Sequence, residues 1–200
     1  MEDKTIRMAA ILTCHNRRSG TIECLRSLYR SIESSHLKIH MDVYLTDDGS
    51  TDGTGEVVRE EFPDVRISEG NGSLFWAGGM RRSWKAAQMG KYGAFLLLND
   101  DTILQENSLN ELFKVHQNAL ERYSQPGIYI GSTRNRETGE FSYGGRQLVS
   151  RWKYQSVAVI PNGKIQECQL GNANLLQVMD KVVRELVAFS DKYIPGKADY

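Results

Sequence analysis

The 200-residue chain carries 25 Lys and Arg against 25 Asp and Glu, a net charge of zero, and 40% of it is hydrophobic. That balance supplies one core and excludes disorder, which needs low hydrophobicity with high net charge, and a wholly electrostatic nucleic-acid binder, which needs a basic excess. Cys14, Cys24 and Cys168 lack C-x-x-C spacing, against a disulfide framework or structural zinc site, and no apolar run exceeds five residues, far short of the roughly 20 that span a bilayer.

Along the chain, Arg7–Thr13 is a near-continuous apolar run, as expected of a strand buried on both faces. Ser19 is placed to cap a helix whose Ile22, Leu25, Leu28, Tyr29 and Ile32 line one face. Met41–Thr46 reads as a second strand, followed by a Gly-rich turn, a short helix near Glu56–Phe62 and a brief strand at Val65–Ser68. A helix over Met80–Met89 leads to the strongest strand, Gly93–Leu98, and then to a helix over Ser108–Arg122. After Gln125-Pro126-Gly127 the pattern turns to short strands at Ile128–Ile130, Glu140–Tyr143, Leu148–Lys153 and Val157–Ile160, with a last helix over Leu175–Phe189. The β-α alternation predicts an α/β fold: a mostly parallel central sheet with helices on both faces and a less regular second half.

In such a sheet ligands bind beyond the carboxyl ends of the strands. The residues there are Thr13-Cys14-His15-Asn16-Arg17, Asp47-Asp48-Gly49-Ser50-Thr51-Asp52-Gly53 and Asn99-Asp100-Asp101-Thr102. Converging acids repel unless a cation or hydrogen-bond donors offset them, and Mg2+ and Mn2+ favour carboxylate, water and phosphate oxygens. The structural alternative is that Asp and Asn are ordinary turn residues. A calcium-loop reading of Asp48–Arg59 fails because its twelfth position is Arg59 instead of Glu. A G-x-G-x-x-G turn and a Gly-Lys-Ser/Thr phosphate loop are both absent after the first strand. Cys14 has no activating partner in sequence. His116 sits on an apolar stripe, as core or boundary histidines do, and His36 and His40 carry no pairing argument.

A strand ending Thr-x-x-Asn-Arg, then Asp-Asp-Gly-Ser-Thr-Asp-Gly-Thr at 47–54, then Asn-Asp-Asp at 99–101, resembles the family 2 nucleotide-sugar glycosyltransferases. Gly72–Ala87 and Gly171–Tyr200 resemble two further stretches of that family. The resemblance implies the GT-A (Rossmann-like) fold in one domain, with a nucleotide-sugar-binding half at 1–125 and an acceptor-side half at 126–200. Thr13, His15, Asn16 and Arg17 would line the nucleotide pocket, and Asp48, with Asp47, would accept a hydrogen bond from the base. A carboxylate only accepts, so it suits the imide N–H of uracil or thymine, and the ring N–H of guanine as well. Asp101 matches the last position of the D-x-D motif, expected to bind Mg2+ or Mn2+ on the diphosphate, while Asn99 and Asp100 would contact sugar or nucleotide. Trp76 would wall the sugar or base, or pack in the core; Gly78 and Gly79 allow close backbone approach, and at most one of Arg81 and Arg82 would reach the diphosphate.

The implied reaction is an inverting, metal-dependent transfer from a UDP- or dTDP-sugar to a glycan or lipid-linked acceptor hydroxyl, in bacterial surface glycan assembly. Asp199 is the matching base, in Ala198-Asp199 where the family has Glu-Asp. The chain resembles a catalytic domain that stops at its acceptor motif. A charged Met1-Glu2-Asp3-Lys4 start without an apolar leader fits a cytoplasmic protein peripheral to the inner face of a membrane, with no nucleic-acid partner. A non-catalytic nucleotide-sugar-binding module would share the donor features. A sugar nucleotidyltransferase would need a Gly-rich basic phosphate loop that is not there.

Overall fold

Every residue from Met8 to Cys14 is buried, which for a strand means cover on both faces. In the computed structural model, which describes residues 5–150, 152–153 and 155–183, this run is β1 (Ile6–Cys14) at the heart of a six-stranded sheet. Chain order is β1, α1 (Arg18–Glu33), β2 (Ile39–Asp47), α2 (Thr54–Glu61), β3 (Arg66–Glu69), α3 (Phe75–Ala87), β4 (Ala94–Leu98), α4 (Ser108–Tyr123) and β5 (Ile128–Ile130). Then follow β6 (Gly145–Ser150), β7 (Gln155–Ala158), β8 (Leu170–Gly171), β9 (Leu175–Met179) and α5 (Asp180–Val183). The main sheet runs β3-β2-β1-β4-β9-β5, with β1 to β4 parallel and β9 antiparallel to both of its neighbours. A separate antiparallel sheet runs β7-β6-β8. The mostly parallel α/β sheet with a less regular second half is therefore what the chain builds.

Strand alternation divides the core in two. Met8, Ala10 and Leu12 of β1, with Leu96 and Leu98 of β4, pack against Leu25 and Leu28 of α1, Val58 of α2 and Leu109 of α4. Ala9 and Ile11, with Phe95 and Leu97, face Met80, Trp84 and Ala87 of α3. α3 lies close on β1 because Gly79 has no side chain. A Cβ there would sit 2.0 Å from the Thr13 hydroxyl oxygen, so any larger residue would force helix and strand apart.

Several predicted elements move. Leu175–Met179, expected to open the last helix, is strand β9. Leu-Leu-Gln-Val-Met is a short apolar run that fits either state, and the open edge of β4 decides it by pairing Leu98 with Leu175 and Ala94 with Met179. The helix follows only at Asp180–Val183, and the rest of that expectation, 184–189, lies outside the described residues. Ser19 falls inside α1, whose capping position is Arg17. α3 begins five residues before Met80. Glu140–Tyr143 forms one isolated bridge, Phe141 to Arg134, instead of a strand.

Candidate active site at the carboxyl edge of the sheet

The loops after β1, β2 and β4 meet where the alternation places them. Asn16, in the left-handed region at φ 51°, turns its side chain across to the loop after β2. Its Oδ1 accepts the Thr51 N–H at 2.7 Å, and its own N–H donates to Ser50 Oγ at 2.9 Å. His15 Nδ1 donates to the Asp48 carbonyl at 2.6 Å, while its Nε2 faces the Asn16 amide at 3.2 Å. Since a carbonyl only accepts, the ring proton sits on Nδ1.

The acidic loop after β2 holds helix N-termini. Asp48, 3% exposed, accepts the N–H groups of Gly72 at 2.9 Å, Leu74 at 2.9 Å and Phe75 at 3.0 Å, the backbone that leads into α3 and its first residue. α3 has no capping side chain of its own, so this carboxylate satisfies donors the helix leaves open and meets the positive end of its dipole. Gly70 makes room, since a Cβ there would lie 2.3 Å from Asp48 Oδ1. Asp52 does the same for two helices: Oδ2 takes the Arg18 N–H that starts α1, at 3.0 Å, and Oδ1 takes the Thr54 N–H that starts α2, at 3.0 Å. Burial works against the Asp52 charge, but the Thr54 hydroxyl and these backbone donors outweigh it and hold the carboxyl below its usual range. Asp47 is buried, and its Oδ1 accepts the Ser50 N–H at 2.9 Å. Thr13 lies beneath α3, donating to the Thr46 carbonyl at 3.1 Å.

Toward solvent, Arg17 Nη1 stands 2.5 Å from Asp101 Oδ2 and 3.9 Å from Asp100 Oδ1. Asp101 is half exposed; Asp100 is buried and close to the Thr21 hydroxyl at 3.5 Å. Burial, with the Asp101 charge adding to it and Arg17 opposing it, pushes the Asp100 carboxyl up from 3.8 to about 6. The folded state thus holds this proton more tightly than the unfolded chain does. Its stabilising contribution is complete below about pH 4 and is lost as pH rises through about 6, by at most about 3 kcal/mol. Asp100→Asn in metal-free buffer should therefore add about 1–3 kcal/mol at pH 7.5 and flatten stability between pH 4 and 6.5. Urea melts across that range check this, and an unchanged pH profile would contradict it.

The half-buried Trp76 donates Nε1–H to Asn99 Oδ1 at 3.0 Å, joining two residues singled out separately in the sequence. Phe75 beside it has φ 54°, a strained conformation for an aromatic residue. Arg82 turns away and donates to the Glu69 carbonyl. Burial pushes the Cys14 thiol up, with Asp47 and Asp100 adding to it, so it stays protonated and is no nucleophile. His116 is a boundary residue whose Nδ1 meets the Tyr129 hydroxyl at 2.9 Å. Asp199 lies outside the described residues. Sequence reading missed Asp52, although an acid two residues before a helix-opening Thr54 is a capping signal. It also missed Thr21 and Phe75, for which no local signal exists.

From Asp101 a groove of about 1940 Å³ runs along α4 to the second half, past Tyr129, Arg134, Tyr143 and Asn174. Among the described residues no three His, Cys, Asp or Glu are arranged to hold a metal. The donor set is one exposed carboxylate with a second beside it. That fits Mg2+ or Mn2+ taking its other ligands from water and a substrate diphosphate, and does not fit a cation held by protein alone. No described helix is long and apolar enough to cross a membrane.

No curated protein matches the chain. Its fold is similar to that of the mannosyltransferase PcManGT from Pyrobaculum calidifontis, solved in complex with GDP-Man and Mn2+, at TM-score 0.55 and 15% identity, over 94% of this chain and 48% of that one. It is also similar to S. aureus TarS 1-349, at TM-score 0.56 and 14% identity, over 97% of this chain and 53% of that one. The chain thus spans about half the length of each, and the likeness is one of fold, the GT-A arrangement. The sequence pattern described as glycosyl transferase family 2 matches residues 9–172, which takes in all three loops of the site. With most of its length inside that match, the chain belongs to glycosyl transferase family 2.

Proposed function

We propose that the chain supplies the donor site of an inverting, metal-dependent glycosyltransferase that moves a sugar from a UDP- or dTDP-sugar to an acceptor hydroxyl. The observation that carries this reading is the meeting of Arg17 and Asp101 at the mouth of three interlaced loops, where a diphosphate and its cation need opposite charges side by side. Residues 1–125 are read as the donor half and 126–200 as the acceptor half of one domain. His15, Asn16 and Asp48, with Asp47 and Thr13 behind them, shape the nucleotide pocket. Three backbone donors already engage Asp48, which leaves its carboxylate capacity for one more, such as a base imide N–H. Trp76 and Asn99 form one wall, and Asp100 lies within reach of sugar hydroxyls.

Asp101 would hold Mg2+ or Mn2+, which when bound neutralises charge on a departing diphosphate. Arg17 contributes a second, permanent positive charge to the same oxygens. Asp199 would take the acceptor proton as attack occurs from the opposite face of the sugar. Glycan or lipid-linked acceptors of bacterial surface glycan assembly, at the cytoplasmic face of a membrane, are the class proposed.

Calorimetric titration with UDP, dTDP and GDP, with and without Mn2+, tests the reading. UDP or dTDP should bind, at least tenfold more tightly with the metal. Binding of equal strength without metal, or none at all, would refute it. Release of free sugar or its transfer to an added acceptor then separates an enzyme from a non-catalytic donor-binding module.

A further inference from the structure

A chain with no net charge carries one strongly one-sided segment. Residues 141–166 contain Arg146, Arg151, Lys153 and Lys164 and no Asp or Glu. The segment also holds the hairpin β6–β7, with Trp152 and Lys153 in the connection closed by the Ser150–Gln155 pair. Trp152 is 97% exposed, the most solvent-facing large apolar side chain among the described residues. Strand alternation puts Val149 and Val157 together on the outward face of the hairpin, 63% and 52% exposed, and Ile160 just beyond is 59% exposed. The opposite face is half-buried, with Arg146 donating to Ser156 across the strands. The hairpin thus has a settled inner face, which holds Arg146, and an outer face on which Val149 and Val157 share the surface with Gln147 and Gln155, tipped by exposed Trp152 and Lys153.

We infer that this hairpin is a membrane-docking element, with Trp152 seated among the headgroups of an anionic bilayer and Lys153 paired to a lipid phosphate. Indole, apolar with one N–H donor, suits that boundary, and each Lys or Arg at an anionic surface strengthens attachment. A nucleic acid would use the cations but leaves Val149, Val157 and Ile160 without a role. The lipid interface uses both. Val149, Trp152, Lys153 and Val157 do not line the groove that runs from Asp101, so the element is tested independently of the donor reading.

Sedimentation with phosphatidylglycerol–phosphatidylcholine vesicles and with phosphatidylcholine vesicles tests the inference on the full chain. Binding should appear with the anionic vesicles and weaken as salt is raised. Trp152→Ala should weaken it by about tenfold or more, as expected for losing one buried large side chain. Lys153→Glu, a change of two charges, should weaken it by roughly thirtyfold. Because these side chains are exposed, both variants should melt at the parental temperature, so a loss of binding reports the surface and not the fold. The inference is overturned by absence of vesicle binding, by variants that bind like the parent, or by Trp152-dependent self-association in place of vesicle binding. Binding confined to a single-stranded oligonucleotide would overturn it too.

Discussion

Asp48→Ala should cost the protein about 3–5 kcal/mol of stability, a drop in melting temperature of about 10 °C. The carboxylate accepts three backbone N–H groups, and hydrogen bonds to a charged group contribute about 1.5–3 kcal/mol each when taken singly. The sum is less than additive, because removing the side chain lets water reach the half-buried loop that holds Leu74 and Phe75. Helix α3 would lose the negative charge at its positive end, and Phe75 would lose a bond that holds it at φ 54°. Asp48→Asn keeps one acceptor oxygen but turns an amide donor toward backbone donors, so it should recover less than half of the loss. Circular dichroism melts of both variants decide the matter. An Asp48→Ala protein melting within about 2 °C of the parent would show that the loop does not depend on this carboxylate.

Asp101→Ala should erase the metal's contribution to nucleotide binding while sparing the fold. Its side chain is half exposed and its ion-pair partner among the described residues is Arg17, at 2.5 Å, an exposed pair of small worth to stability. As the proposed protein ligand for Mg2+ or Mn2+, its loss should weaken metal-supported UDP or dTDP binding by roughly 10–100-fold. Metal-free binding should hold steady or improve, because the freed Arg17 guanidinium can turn its paired donors to the diphosphate. This opposition of effects separates a ligand role from general damage, which would lower both affinities together. Titrations of the variant with and without Mn2+ read it out. A metal increment that survives the substitution would remove Asp101 from the cation's coordination.

The first hundred residues were largely readable because each element there is fixed locally. A continuous apolar run such as Met8–Leu12 reads as a doubly covered strand because it is short and closely followed by turn residues and a helical pattern, and Gly and Asp mark the turns between strand and helix. Fold and family could be reached that way. The roles of individual acids could not. Asp48 reads as a ligand carboxylate and Asp52 as an ordinary turn residue, yet Asp48 caps α3 and Asp52 caps α1 and α2, with partners between 2 and 34 positions away. Local rules see the Asp52–Thr54 pair and are blind to the Asp48–Phe75 pair. Beyond Pro126 the pattern weakens for a related reason. Leu175–Met179 is shaped by the bare edge of β4, a surface that exists only once the first half has folded.

The position of β9 also fixes an order of events. It lies between β4 and β5 in the sheet, so β5, which precedes it by more than forty residues, has no other strand to pair with among the described residues. Chain order and sheet order disagree. During synthesis β3, β2, β1 and β4 can zip together as they emerge, while Ile128–Ile130 must wait for Leu175–Met179. Pairings this remote in sequence close late, because the entropy of a long loop has to be overcome first. Until they close, β4 presents an unpaired apolar edge, the surface through which half-made sheets find each other and aggregate. A nascent chain not yet extended past Met179 is therefore two strands short of its sheet, and any chaperone that guards it has one well-defined edge to cover.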